Sequence, residues 1–448
     1  MAEPLLTIQD LSLKYQTAEK KILNHIHLQI KRGECIRIIG KTGSGKTTLL
    51  LAIAGFIEKA DIFGTIQRIQ TKNMHPIGLI LQNPETQLFS QTVGEEVAFG
   101  LENLCVPPDQ MKPMITNALN DVELDKPLSF KVKHLSMGQK YRLIMASQLV
   151  MSPRLILLDE PCGQLDQQGI DALTQIILNL KKKDISFMIC EHHEKQLRTI
   201  TDQFFVMNQH GNLVQTTYQN EPSGNVNHEK PAEDNNVSSE IITFRNVSIA
   251  FDHRKQVLSD FNATIRKGDI VAIYGKNGSG KTILLRSLCG FIKPSKGYIH
   301  ICGHPPAPTK LRYKAGILFQ NPQKQLFETT VFKELSFQLR RLKIDDLTIQ
   351  NRIHEILDRF GLANFVHNSP FKLSYGQKHL VAMASIIVNR PEIIILDDPF
   401  AGIDTQMAQK IIVALKQLNR TYQCTIIWTS HEIGLFQSFS TQTILLEN

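Results

Sequence analysis

Two stretches of the chain read G-x-x-x-x-G-K-[ST]: GKTGSGKT from Gly40 to Thr47 and GKNGSGKT from Gly275 to Thr282. Glycines let backbone N–H groups turn inward, a helix starting just behind presents its positive end, and the lysine adds a full charge. Such a loop is built to hold a polyphosphate. Lys46 and Lys281 would reach its terminal phosphates, and Thr47 and Thr282 would hold Mg2+. Gly43, Ser44, Gly45 and Thr48 complete the first cradle, and Asn277, Gly278, Ser279 and Gly280 the second. One match alone could be an ordinary Gly-rich turn; two, each after an apolar run (CIRIIG and IVAIYG), are not. Asp159 and Asp397 each close a second kind of apolar run, LILLD and IIILD. An aspartate there suits another Mg2+ contact. The carboxylate that follows in the first run, Glu160, is placed to orient and deprotonate an attacking water, a role that falls to Asp398 in the second.

The elements that must position these residues are written twice. The phosphate loops lie 235 residues apart, Gln82 and Gln320 238 apart, Ser136 and Ser374 238, Asp159 and Asp397 238, and His192 and His431 239. The order is the same in both copies, so the chain is a duplicated domain. Each copy reads strand, Gly-rich turn, helix, and its later strands are continuous apolar runs of the kind buried on both faces of a parallel sheet. The stretch between each glutamine motif and the following LSxGQ is helical in character. Thr216 to Glu240 is polar and almost free of apolar residues, which reads as a linker. The expected organisation is one α/β domain over 1–215, a linker over 216–240 and a second α/β domain over 241–448.

Composition narrows the function classes without selecting one. The 448 residues exceed one ordinary domain, and 42% apolar with 21% charged residues is globular. No apolar run approaches the roughly 18–20 residues of a membrane span, and MAEPLLTIQD lacks the basic and apolar regions of a signal peptide. The expectation is a cytosolic chain whose membrane spans, if it works there, come from other subunits. Seven scattered cysteines without a C-x-x-C pair read as reduced thiols. A formal charge of +8 over this length carries no specific meaning for nucleic acid.

LSMGQK and LSYGQK, each placed about twenty residues before the strand that ends in aspartate, resemble the signature of ABC-type ATPases, and the resemblance covers nearly the whole chain. It implies two tandem P-loop domains of ABC type. Each would be a mostly parallel sheet core with an antiparallel β subdomain and an inserted helical subdomain, and the two would clamp two ATP molecules between them as an intramolecular pseudo-dimer. Matched position by position, it implies that Tyr15 and Phe251 stack on adenine and that Gln82 and Gln320 touch Mg2+ and the attacking water. His192 and His431 would contact the γ-phosphate, and Ser136, Gly138 and Gln139 with Ser374, Gly376 and Gln377 would grip the nucleotide held by the opposite domain. Asp166 and Asp404 would communicate across the pair. His193 adjoins His192, and matching ISFMICEH to CTIIWTSH selects His192. The signature departs from the family at Met137 and Tyr375, where a glycine is usual, but keeps Gly138 and Gly376. Asp398 departs too: its carboxylate stands one methylene, roughly 1.5 Å, further back, and errors of about 1 Å can cost on the order of a hundredfold in rate. One site is therefore expected to hydrolyse ATP and the other to bind it and turn over slowly.

QNPETQLFSQTVGEE and QNPQKQLFETTVFKE agree at nine of fifteen positions. QNPxxQLFxxTV followed by EEVAFGLEN resembles the energy-coupling factor importers. This implies a motor at the cytoplasmic face of the membrane, joined to a transmembrane coupling subunit and a small substrate-binding membrane subunit that carries a vitamin, a vitamin precursor or a metal ion. Residues 83–96 and 321–334, with Leu88, Phe89, Leu326 and Phe327, would form the docking surface. A soluble tandem ABC ATPase acting on ribosomes or nucleic acid is the alternative.

Overall fold

The computed structural model describes residues 4–16, 18–41, 43–68, 76–163, 165–192, 197–216, 239–251, 255–276, 278–311, 314–401, 403, 405–430 and 439–446. The chain divides into two compact units, Met1–Pro222 and Ser223–Asn448.

In the first unit β1 (Leu6–Tyr15), β2 (Leu23–Ile30) and β4 (Ala60–Arg68) form an antiparallel sheet in the order β2-β1-β4. β2, LNHIHLQI, buries its Leu and Ile and exposes the residues between them, the period-two pattern of a sheet with one wet face. β3 (Cys35–Gly40), β5 (Ile77–Ile80), β6 (Leu155–Asp159), β7 (Ser186–Glu191), β8 (Gln203–Met207) and β9 (Leu213–Gln215) make the second sheet, ordered β5-β6-β7-β3-β8-β9. All its pairs are parallel except β8–β9. LILLD and SFMICE are buried at every residue, as continuous apolar strands require.

Helix α1 (Lys46–Ala54) follows β3; α2 (Val93–Asn103), α3 (Pro108–Asp121) and α4 (Met137–Leu149) are inserted between β5 and β6; α5 (Gln167–Lys181) joins β6 to β7. α2 begins with a capping box of Thr92 and Glu95, and α4 with one of Ser136 and Gln139.

The second unit repeats this plan. β10 (Glu240–Phe251), β11 (Lys255–Arg266) and β13 (Lys296–Ile301) form the antiparallel sheet β11-β10-β13. β12 (Ile270–Tyr274), β14 (Ala315–Leu318), β15 (Ile393–Leu396), β16 (Thr425–Ser430) and β17 (Gln442–Leu445) form the parallel sheet β14-β15-β16-β12-β17. Its principal helices are α6 (Lys281–Leu288), α7 (Val331–Arg341), α8 (Asp346–Phe360), α9 (Tyr375–Ile387) and α10 (Thr405–Tyr422). In each unit one apolar cluster joins the antiparallel sheet to the first face of the parallel sheet, and another joins the inserted helices to its second face. Sandwiched in this way, the parallel strands end at fixed points, and the polar residues at those ends are what the fold positions.

Candidate active site

In the first unit the phosphate loop leaves β3 at Gly40 and enters α1 through Gly45, whose φ of 105° is open to glycine. A Cβ at Gly40 would lie 2.6 Å from Met207 O and 2.7 Å from Ser44 Oγ, so the turn has no room for a side chain. Lys46, only 4% exposed, donates from Nζ to Gly40 O (2.6 Å) and Lys41 O (3.2 Å). The ammonium thus sits inside the curl of its own loop. Ser44 Oγ is buried there without a partner among the described residues.

The ends of β5, β6 and β7 meet beside this ammonium. Thr47 Oγ1 donates to Asp159 Oδ2 at 2.7 Å, whereas Asp159 Oδ1 has no partner among the described residues. Burial, and then the negative charge of Glu160, push the Asp159 carboxyl up to about 7. A buried carboxylate with one free oxygen beside a threonine hydroxyl suits a divalent cation, which would relieve both the desolvation and the repulsion. The residues present therefore fit Mg2+.

Glu160 stands in the left-handed region (φ 49°), its N–H bonded to Cys190 O at 2.8 Å. Its carboxylate meets three other candidate residues: Gln82 Nε2 at 2.6 Å, His192 Nε2 at 2.5 Å and Lys46 Nζ at 3.7 Å. His192 Nδ1 lies 3.0 Å from Gly40 O. The Lys46 ammonium also approaches this Nδ1, at 3.3 Å. Burial lowers the His192 pKa, but the hydrogen bond and charge of Glu160 outweigh burial and raise it.

The second unit builds the same frame with different bonds. Lys281 Nζ donates to Gly275 O and, at 2.9 Å, to Lys276 O, and Ser279 Oγ is buried like Ser44. Thr282 hydrogen-bonds Asp397. Asp397 Oδ1 here also accepts from Thr429 Oγ1 at 2.9 Å, and the same hydroxyl accepts Asp398 N–H at 2.9 Å. Burial raises the Asp397 pKa, and the Thr282 and Thr429 bonds oppose that rise. Asp398 repeats the left-handed backbone of Glu160 (φ 50°). Gln320 is exposed and makes no side-chain hydrogen bond among the described residues, in contrast to Gln82. His431, Asn277, Asp404 and His193 lie outside the described residues, as does the side chain of Phe251.

The remaining candidates fall into two groups. Tyr15 closes β1, partly buried against the antiparallel-sheet core. Two residues earlier, Leu13 pairs with Leu23, whose Cδ2 would lie 3.0 Å from a Cβ on Gly45, so Tyr15 sits at the edge of the phosphate loop. Ser136 and Ser374 are exposed N-caps. Each Oγ accepts the N–H of Gln139 or Gln377 at 3.3 Å, while each glutamine Oε1 accepts the serine N–H at 3.0 Å. Neither serine bonds to the phosphate loop of its own unit among the described residues. The capping box fixes where each serine hydroxyl stands and leaves its proton free to donate. Asp166 caps α5 through Gly169 N–H at 2.9 Å.

Three neighbours were not picked out from the sequence: Cys190, which pairs in register with Asp159, and the buried Arg37 and Glu191. Glu191 Oε1 accepts Cys162 N–H at 2.9 Å. A charge inside CIRIIG and the replacement of Cys190-Glu191 by Thr429-Ser430 were the available signals.

The ABC transporter family profile matches residues 23–163 and 258–401, covering the phosphate loop and the strand-end carboxylates of each unit. This chain belongs to the ABC transporter family, and as such it is an ATP-binding protein and an ATPase. Over 99% of this chain and 89% of its own length, a protein of Clostridium perfringens provisionally named an ABC transporter ATP-binding protein is 31% identical. A Bacillus subtilis protein, provisionally named HMP/thiamine import ATP-binding protein YkoD, is 26% identical over 100% of this chain and 90% of its own. Among solved structures, RNase-L Inhibitor superposes with a TM-score of 0.62 over 98% of this chain and 88% of its own at 18% identity, a likeness of fold. No helix among the described residues is long and apolar enough to cross a membrane.

Proposed function

We propose that this chain is the ATP-hydrolysing motor of an importer of energy-coupling-factor type. In this reading it works from the cytoplasmic face of the membrane on a transmembrane coupling subunit and a small substrate-capturing subunit, and drives uptake of a vitamin, a vitamin precursor or a metal ion.

The carrying observation is the surface beside each glutamine. Gln87 and Gln325 staple the loop to the preceding strand, with Oε1 accepting from Leu81 N–H (2.8 Å) and Phe319 N–H (2.9 Å). Buried Glu96 and Glu334 tie its far end through Ser90 N–H and Glu328 N–H, each at 2.8 Å. Those residues serve the turn. Phe89 and Phe327 do not: they stand 63% and 57% exposed, in edge-on contact with Phe99 (4.5 Å) and Phe337 (4.8 Å). Rigidly presented, exposed aromatic pairs at the same place in both units suit partner helices. The name of the Bacillus relative adds thiamine-related cargo to the candidates.

Within each composite site, Lys46 or Lys281 would take the terminal phosphates. Thr47, Asp159 and Gln82, or Thr282, Asp397 and Gln320, would hold Mg2+, which supplies charge neutralisation at the transferring phosphoryl group. Ser374 and Gly376 would complete the first site, and Ser136 and Gly138 the second. A γ-phosphate offers Lys46 and His192 a stronger partner than Glu160, so its arrival would release the Glu160 carboxylate to accept the proton of water. Asp398 is too short for the same reach, and the second site would hold ATP longer. The grip of both halves on ATP closes the motor, and hydrolysis at the first site reopens it.

Affinity purification from detergent-solubilised membranes tests this. We expect two kinds of membrane protein to co-purify, and Phe89→Asp with Phe327→Asp to release them while the purified chain keeps its ATPase activity. Recovery with ribosomes and without membrane proteins would contradict it.

A further inference from the structure

Where α8, the end of α9 and α10 meet in the second unit, there is a solvent-accessible cavity of about 70 Å³. Its wall includes apolar Ile356, Val388 and Leu418, and its rim carries Arg352, Arg359 and Arg390. One carboxylate, Glu355, faces them, 2.6 Å from Arg359 and 3.8 Å from Arg390. Arg359 also hydrogen-bonds Gln417, and the Arg390 guanidinium lies 4.8 Å over the ring of Tyr422. Arg352 is half-buried and makes no hydrogen bond or ion pair among the described residues. Its pKa is lowered by burial and then by the charge of Arg390, against the weaker pull of Tyr422, Asp345 and Glu355. Three cations face the one carboxylate of the cavity lining, with Asp345 acting on Arg352 from outside it, which leaves the cavity net positive.

The first unit is an internal control. At the 238-residue offset that relates Asp159 to Asp397, Arg352, Glu355, Arg359 and Arg390 correspond to Met114, Asn117, Asp121 and Ser152. Ser152 and Arg390 occupy the same left-handed turn (φ 56° and 52°), so the backbone does not call for an arginine. Asp121 is bound by Lys183 at 2.6 Å. The fold is satisfied without the arginines.

We propose that this cavity of the second unit is a binding site for a phosphate group, carried by free phosphate or a phosphomonoester or by the headgroup of an acidic phospholipid. Guanidinium forks match tetrahedral oxyanions two oxygens at a time. The space holds a few waters' worth of volume, enough for one such anion. The site lies outside the ATP-binding residues and is independent of the transport reading.

Calorimetric titration of inorganic phosphate into the full chain, with both phosphate loops filled by Mg2+ and a non-hydrolysable ATP analogue, reads the site. We expect one phosphate to bind per chain. Arg352→Gln and Arg390→Gln should each weaken it by about tenfold or more, as loss of a charge-assisted bond implies. Arg352→Lys should fall between, and Lys183→Gln in the first unit should leave it unchanged. A second arm sediments the chain with phosphatidylcholine vesicles with and without phosphatidic acid. Recruitment by phosphatidic acid that Arg352→Gln abolishes, with weak binding of free phosphate, assigns the lipid source; tight free phosphate without recruitment assigns the soluble one. Unchanged melting temperature and ATPase activity in the variants show that they fold. The proposal is overturned if neither ligand binds, or if binding survives both substitutions.

Discussion

The two strand-end carboxylates, Asp159 and Asp397, sit on matching backbones and live in different company. Asp397 Oδ1 takes a hydrogen bond from Thr429, and that hydroxyl also holds the Asp398 N–H. At the corresponding place behind Asp159 stands Cys190, whose thiol is a weak donor, so Oδ1 is left without a partner and the next N–H turns to the Cys190 carbonyl. Beyond them, Glu160 reaches Gln82, His192 and Lys46, while Gln320 stands free of any side-chain bond among the described residues. Duplication thus kept the frame and changed the wiring. In the first unit one carboxylate oxygen of Asp159 is left without a partner among the described residues, and the next carboxylate, Glu160, is held by Gln82, His192 and Lys46. In the second unit Asp397 is locally satisfied by Thr429, and the next carboxylate, Asp398, is one methylene shorter.

Breaking the comparison crosswise should give the largest effect. If the sites are composite, Ser374→Arg should lower ATP turnover by on the order of a hundredfold, the usual cost of losing one donor to transition-state charge. Ser136→Arg should cost far less, and equal losses in steady-state assays would remove the distinction between the sites. Next, Thr429→Val orphans two buried polar groups in the second unit, each worth about 1–3 kcal/mol. Denaturant titration should show that unit destabilised by such an amount. The reciprocal Cys190→Thr gives Asp159 Oδ1 a donor; it should stabilise the first unit by about 1 kcal/mol, or about 2–4 °C in melting temperature.

An effect of similar size is expected from pH. The Asp159 carboxyl titrates at about 7 in the folded chain, against about 3.9 when unfolded. Its contribution to stability is therefore full below the unfolded value and lost as pH rises through 7. Nucleotide-free protein should melt lower at pH 8 than at pH 6 on this account. Asp159→Asn, which mimics the protonated form, should flatten that slope; an unchanged slope would place the cause elsewhere.

Much of this site was legible in the sequence because its parts are short and local. A phosphate loop is one turn, and the strand ending in Asp159 or Asp397 announces itself by an unbroken apolar run. Even the single methylene separating Glu160 from Asp398 could be read directly. What escaped depends on partners distant in sequence. Only the register of β6 with β7 puts Cys190 behind Asp159, and only the packed sheet makes Arg37 and Glu191 buried neighbours of the site. The signature serine presented a different difficulty. Ser136 and Gln139 read as anion-binding residues and are also a capping box, because a helix N-terminus meets both needs with the same groups. The arginine cavity had no motif, since its residues come from α8, the end of α9 with the turn after it, and α10.

Turnover of Glu160→Gln measured beside Asp398→Asn, on protein with equal ATP occupancy, tests the division of labour most directly. We expect the first substitution to reduce hydrolysis by about a hundredfold or more, as loss of a general base does, and the second to leave most of the activity intact. Comparable losses from the two would contradict a single hydrolytic site.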